Sequence, residues 1–372
     1  MAIVEPPAPS APDGPESGAG APLYLRRAAL LEALATLCAS PDLPTLRAEL
    51  AALRAALVPG GALRAPGGEE AVVFPEPLLQ AELAQIGAAL SLERARYYAG
   101  RLHKAAQGER TAAINEIDLN RWKAYDDIIT DSLWLIERRD GSGVHRADYW
   151  GNFVPQIPNQ LLRRYTRRGD WVLDPFAGAG TTLIEAQRLG RNVLGVELQP
   201  PLVERVRGLV AAEPNRHGAL VHVVAGDSTC TDFRALLAEQ GAASAQLAIL
   251  HPPYHDIIRF SDDPRDLSNA ASIERFLALL GQVVCQVAAV LDRGRYLALV
   301  IGDKYARGEW VPLGFLAMQT VQERGFVLKS IVVKDINGTA GKRAQKELWR
   351  YRALVGGFYV FRHEYLFLFR KR

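Results

Sequence analysis

Trp171-Val-Leu-Asp-Pro-Phe-Ala-Gly-Ala-Gly-Thr-Thr182 has the pattern of a buried strand that breaks at Asp174-Pro175. It then turns through Gly178 and Gly180 and enters a helix near Thr181. Glycines at such a turn let bare backbone approach a ligand at the carboxyl end of a parallel strand. A second stretch, His251-Pro-Pro-Tyr254, closes a later apolar run. Between and after them apolar runs and amphipathic segments alternate. Strands are expected at Val172-Leu173, Val193 to Glu197, Val221 to Val224, Gln246 to Leu250 and Tyr296 to Ile301. Helices are expected over Leu183 to Leu189, Leu202 to Val210, Phe276 to Val290 and Phe315 to Glu323. This rhythm predicts an α/β fold with a mostly parallel sheet covered on both faces. Phe326 to Val333 and Tyr359 to Phe369 lack a full helix between them, which predicts an antiparallel hairpin at the end.

The rest of the 372 residues divides by texture. Residues 1–21 are Ala, Pro, Gly and Ser with few large apolar side chains, and are expected to form a disordered tail. Over 22–110 leucines recur at helical spacing, predicting a small helical module for packing or dimerisation, with one helix from about Pro77 to His103. Residues 111–152 interleave Trp122, Tyr125, Trp134, Tyr149 and Trp150 with basic residues, as a connecting segment that could stack on bases or pack on the main domain. Residues 153–372 form the main domain, with a basic insertion at 336–358. The three cysteines lack metal-ligand spacing, so no metal is expected, and their scatter suggests a reducing, cytoplasmic setting. No secretory signal and no membrane helix are expected. A net charge of +3 does not by itself argue for nucleic acid.

Three ligand classes compete for the glycine turn. A P-loop would carry a lysine before the threonine, and Gly180-Thr181 offers none. A dinucleotide site would prefer a third glycine where Leu183 stands. S-adenosylmethionine has no pyrophosphate and needs acceptors instead. Glu197, ending the second strand, could accept from the vicinal ribose hydroxyls. Asp227, after the third, could accept from the adenine amino group, and Asp174 lies where the amino acid end or sulfonium would come. At the end of the fourth strand the Pro252 carbonyl and His251 could each accept a hydrogen from an amino group on a flat substrate, with Tyr254 as a stacking surface.

With these residues in view, the chain resembles the amino-directed DNA methyltransferases, which modify N4 of cytosine or N6 of adenine. Asp174, Pro175, Phe176, Gly178, Gly180, Thr181 and Thr182 match that family's cofactor turn. Pro252, Pro253 and Tyr254 match its catalytic motif, with His251 at the variable first position. Phe153 to Tyr165 resembles its helix over the cofactor, and the resemblance covers roughly Tyr149 to Arg372. It implies a Rossmann-like class I methyltransferase fold with a mostly parallel seven-stranded sheet. It also implies S-adenosylmethionine as cofactor, double-stranded DNA as partner, a flipped target base, and restriction–modification as the setting. Family members with aspartate or asparagine at the first motif position tend to act on adenine and those with serine on cytosine. His251 is neither, and the absence of aspartate favours cytosine N4 over adenine N6. Methylation at cytosine C5 is disfavoured because no cysteine follows a proline. RNA, protein glutamine and a non-catalytic binder remain as alternatives. For DNA contact the candidates are Arg259, Lys342, Arg343, Lys346, Arg350 and Arg352; a homodimer and a cognate restriction nuclease are further candidate partners.

Overall fold

Leu23 and Leu25 alternate with outward-facing neighbours, a period of two that makes Pro22–Arg26 a strand, β1. The computed structural model describes residues 21–68, 70–336 and 346–372, with Lys346 by its backbone alone. They form two compact units, residues up to Ala113 with Ile117–Ile128, and Ile114–Glu116 with Ile129–Arg372. Segment 111–152 therefore divides between the units. The proposed tail lies, up to residue 20, outside the described residues, as does 337–345 of the basic insertion.

In the first unit β1 is followed by α1 (Arg27–Ala39), α2 (Leu43–Ala56), β2 (Ala71–Pro75), α3 (Glu76–Gly87) and α4 (Leu92–Gln107). The module is not wholly helical, because β1 and β2 pair antiparallel. The single helix expected from Pro77 to His103 is two. Ser91 takes an extended backbone and accepts a hydrogen bond from the Arg94 N–H at 3.2 Å, so a new helix starts there. Leu30, Leu34, Leu37, Leu46, Leu50 and Leu83 fill this unit's own core.

The second unit runs β3 (Leu133–Trp134), α5 (Gln156–Tyr165), β4 (Trp171–Asp174), α6 (Thr181–Arg188), β5 (Asn192–Glu197), α7 (Pro200–Ala212), β6 (Val221–Ala225), α8 (Phe233–Glu239) and β7 (Ala245–Leu250). Then come α9 (Ile273–Val290), β8 (Leu291–Ile301), β9 (Lys304–Ala306), β10 (Glu309–Val311), α10 (Leu313–Gln322), β11 (Phe326–Asp335), α11 (Lys346–Gly356) and β12 (His363–Lys371). Eight strands form one sheet in the order β3-β11-β12-β8-β7-β4-β5-β6. Strands β4 to β8 are parallel, while β12 runs antiparallel between β8 and β11. This is the expected mostly parallel α/β sheet with its antiparallel hairpin, with eight strands where seven were expected. The eighth, β3, is two residues long and too short to show a periodicity.

Alternate residues of the central strands bury on opposite faces. Leu173, Leu194, Ala248 and Leu299 face α8, α9 and α10, whereas Val172, Val193, Ile249 and Val300 face α5, α6 and α7. Burial on both sides is why these strands appear as continuous apolar runs. Helix α9 is long and apolar enough to cross a membrane by length and composition, although it carries Glu274 and Arg275. Its residues Phe276, Leu280, Val283, Val284, Val287 and Val290 are all packed into the sheet's core. From β4 the chain winds outward through β5 and β6, then crosses back to place β7 on the other side of β4. The crevice beyond the carboxyl ends of β4 and β7 is thus the switch point at which open α/β sheets bind ligands.

Candidate active site

Both decisive sequence stretches open onto that crevice, one from β4 and the other from β7. Gly178 and Gly180 have φ of +50° and +79°, the left-handed region that favours glycine. They differ in what surrounds them. A Cβ on Gly178 would meet nothing closer than the Tyr149 ring at 3.6 Å, whereas one on Gly180 would lie 2.7 Å from Val206 Cγ1 on α7. Gly180 is therefore needed for helix packing behind the turn, and Gly178 for the turn's open side. Asp174, fully buried at the tip of β4, accepts from the Phe176 N–H at 3.0 Å. Burial, with the nearby Glu197 charge adding to it, pushes its carboxyl up to about 6. The Thr182 hydroxyl facing it partly counteracts the rise, but forms no well-aligned hydrogen bond. Thr181 donates to Asn152 Oδ1 at 2.6 Å.

Glu197 is buried at the end of β5. Its Oε2 accepts from Gly178 N–H and its Oε1 from Gln199 N–H, both at 3.0 Å. Burial raises its carboxyl above the usual range. Those bonds orient the acid against the glycine turn and leave each oxygen a further lone pair. Asp227 follows β6, and its Oδ1 accepts from the backbone and the hydroxyl of Thr229 at 2.9 and 2.7 Å. The neighbouring Ser228 hydroxyl donates to the Pro175 carbonyl at 2.7 Å, tying the β6 and β4 loops together. Three acceptor-bearing carboxylates thus stand at successive strand tips. Tyr149 lies against Gly178 and stacks on Phe260, ring centroids 6.0 Å apart. Neither ring, nor Asn152, was singled out from the sequence. Only the Tyr149-Trp150 aromatics within a mixed segment hinted at the first.

On the β7 side, no described residue donates to the Pro252 carbonyl. His251 lies 4.7 Å, centroid to centroid, from Phe153, and its Nε2 is 3.2 Å from the Tyr254 hydroxyl. Burial holds the imidazole down at about 4, so it is neutral. The Tyr254 hydroxyl donates to Glu364 Oε2 on β12 at 2.8 Å, and Lys334 on β11 bonds Glu364 Oε1 at 3.0 Å. The Tyr254 ring is half-buried, and its Cε2 would come within 3.0 Å of a Cβ on Gly302. Glu364 and Lys334 were not foreseen. The next residue, His255, has φ +53° and is pinned by Ala270 O at 2.8 Å and Lys304 Nζ at 2.9 Å. The loop beyond it is cross-tied by Ser261, Asp266 and Asn269.

The cations singled out for DNA contact are dispersed. Arg259 is exposed and pairs with Asp262 at 2.9 Å. Arg350 and Arg352 are exposed on α11, the latter 5.2 Å from the Trp349 ring. The basic stretch, expected as a loop, is helical from Lys346 because Glu, Leu, Trp, Arg, Tyr and Ala tolerate a helix once the glycines are past. Lys342 and Arg343 lie outside the described residues, as does the Lys346 side chain.

Residues 103–207 match the family model described as DNA methylase. Over this segment, somewhat over a quarter of its length, the chain is similar to the DNA methylases. The matched stretch holds the Asp174–Thr182 turn and Glu197, begins before Tyr149, and ends before Asp227 and His251. Among curated relatives, the type II methyltransferase M.MjaII of Methanocaldococcus jannaschii is 40% identical over 75 residues, 20% of this chain and 14% of that protein. The type II methyltransferase M2.DpnII of Streptococcus pneumoniae is 34% identical over 101 residues, 26% of this chain and 34% of that protein. The chain spans 14–34% of the length of these curated relatives. A solved SAM-dependent methyltransferase from Methanosarcina mazei aligns with 57% of this chain and 96% of its own, at 13% identity and a TM-score of 0.38, too loosely to add to the strand order. S-adenosylmethionine is the cofactor against which the residues of the crevice are to be tested. The donor set fits it, since ribose hydroxyls, an adenine amine and cationic groups all call for acceptors.

Proposed function

We propose that this chain moves the methyl group of S-adenosylmethionine to the exocyclic amine of a base in double-stranded DNA. The observation that carries the reading is the convergence of the Gly178–Glu197 cradle and His251-Pro-Pro-Tyr254 on one switch-point crevice. Glu197 takes the ribose hydroxyls and Asp227 the adenine amine, while Asp174 faces the cationic end of the cofactor. The Pro252 carbonyl and His251 accept the two amine hydrogens, so the nitrogen lone pair points at the methyl carbon. Holding the two reactants in line supplies much of the acceleration. Held by Asp174, Glu197 and Asp227, S-adenosylmethionine would supply an electrophilic methyl group, and the amine nitrogen, oriented by the Pro252 carbonyl and His251, would take it and lose one hydrogen as a proton to solvent. The base must leave the duplex to reach this crevice, and the Tyr254 ring stacks on it. Arg350, Arg352 and, outside the described residues, Lys342, Arg343 and the Lys346 side chain contact phosphate, while Arg259, in a loop rich in acids, makes a polar contact near the flipped base.

Cytosine N4 is the favoured target because aspartate, which adenine-directed members of the resembled family tend to carry at the first motif position, is absent at His251; adenine N6 is the second reading. The deciding experiment is transfer of a labelled methyl group to plasmid DNA, followed by nucleoside mass spectrometry. N4-methylcytosine is the expected product, and N6-methyladenine selects the second reading. Label in neither, with label appearing in RNA or protein instead, overturns DNA as substrate.

A further inference from the structure

We infer that Glu364, held by Lys334, is a positioning residue that fixes which nitrogen of His251 faces the substrate amine. This inference rests on the reading of the crevice given under Proposed function and deepens it. The hydrogen-bond chain is short, and each donor in it can be assigned. Lys334 Nζ lies 3.0 Å from Glu364 Oε1, and the two side chains are nearly buried on paired positions of β11 and β12. The ion pair leaves Glu364 with acceptors only. The Tyr254 hydroxyl has one proton, and at 2.8 Å from Glu364 Oε2 it is donated there. Its oxygen is then the acceptor for His251 Nε2 at 3.2 Å. Nε2 therefore carries the imidazole hydrogen and Nδ1 keeps a bare lone pair.

Nδ1 makes no hydrogen bond among the described residues, yet it is not among the side-chain atoms that are buried without a partner, so it retains solvent access. Phe153 packs against the ring and sets its plane. The first position of the motif thus offers a pure acceptor without a carboxylate, as an amine hydrogen requires. In the opposite tautomer Nδ1–H would point a donor at a donor, and the substrate amine would be repelled. A distant carboxylate that holds an imidazole in one tautomer is a known catalytic device in unrelated enzymes. Here a tyrosine hydroxyl relays that control.

The test is nitrogen-15 NMR of histidine-labelled full-length protein, with the His251 signals assigned by their loss in His251→Asn. The wild-type protein is expected to show the Nε2–H tautomer. In Glu364→Gln the carboxamide can donate to the tyrosine oxygen, which frees the hydroxyl proton for Nε2, so the population should move toward Nδ1–H. Lys334→Met is the second variant and should move it the same way. A wild-type Nδ1–H signal, or a folded Glu364→Gln protein with an unchanged tautomer, overturns the inference. Turnover is read separately: Glu364→Gln should lower kcat on the order of 100-fold with S-adenosylmethionine affinity unchanged by calorimetry. Wild-type kcat in that variant overturns the positioning role. The NMR arm needs no turnover, so a wild-type protein with the expected tautomer but no methyl transfer to DNA overturns the proposed function rather than the lock.

Discussion

At the scale of single residues, Asp174 and Gly180 yield the sharpest expectations. The Asp174 carboxyl is raised from 3.8 to about 6, chiefly by burial. The folded chain therefore binds a proton there that the unfolded chain releases. The stability this group contributes is fully present below 3.8 and is lost as pH rises through about 6. Cofactor binding has the opposite sign, because a cationic ligand favours the ionised acid. Calorimetric affinity for S-adenosylmethionine should fall roughly tenfold per pH unit below about 6, and Asp174→Asn should abolish that slope while flattening the stability profile. An affinity independent of pH in the wild-type protein would separate Asp174 from the cofactor. Gly180→Ala combines left-handed backbone with a 2.7 Å encounter with Val206, and should cost about 2–4 kcal/mol in urea unfolding. Adding Val206→Ala should recover part of that loss. The turn's residues were legible because a strand–glycine–helix pattern is local in sequence. Glu364 was not, because it lies 110 positions from Tyr254, and nothing near it in the chain marks a carboxylate inside an apolar strand as functional.

Among elements, the central strands and their helices were legible for a plain physical reason. Burial on both faces of a parallel sheet writes continuous apolar runs that few other structures require. The short β1, β2 and β3 were missed since two to five residues carry too few alternations to outweigh the leucine-rich helical texture around them. Helix α11 is the element with most left to test. Leu348, Tyr351, Leu354 and Val355 are exposed along it beside Arg350 and Arg352. If α11 tracks a DNA backbone, replacing both arginines by glutamine should lower the slope of log affinity against log salt by about 0.9 for each phosphate no longer neutralised. A filter-binding or anisotropy titration over a range of salt reads this, and an unchanged slope would remove α11 from the interface.

For the molecule as a whole, the two compact units each hold a separate core. All the carboxylates of the cradle belong to the second. Saturating S-adenosylmethionine should therefore slow amide exchange in β4, β5 and the loop after β6. It should leave α1 and α2 of the first unit at their free rates. At ligand concentrations about a hundredfold above Kd the stabilisation would be about 2.7 kcal/mol, large enough to read by exchange mass spectrometry. Equal protection of both units would mean that cofactor binding is felt through the entire chain. The division into units was only partly visible beforehand, because residues 114–116 belong with the second unit while 117–128 return to the first. No boundary drawn along the sequence can express that interleaving.

Strand β12, lying between β8 and β11, gives the order of assembly a consequence. The residues proposed to grip the cofactor lie between Tyr149 and Asp227, whereas Glu364 arrives on the last strand of the sheet among the described residues. A chain emerging from the ribosome could close around its methyl donor well before the histidine is set to receive an amine. On the proposed roles, a chain that folded in the order of synthesis would complete the methyl-donor side before the side that reads the base.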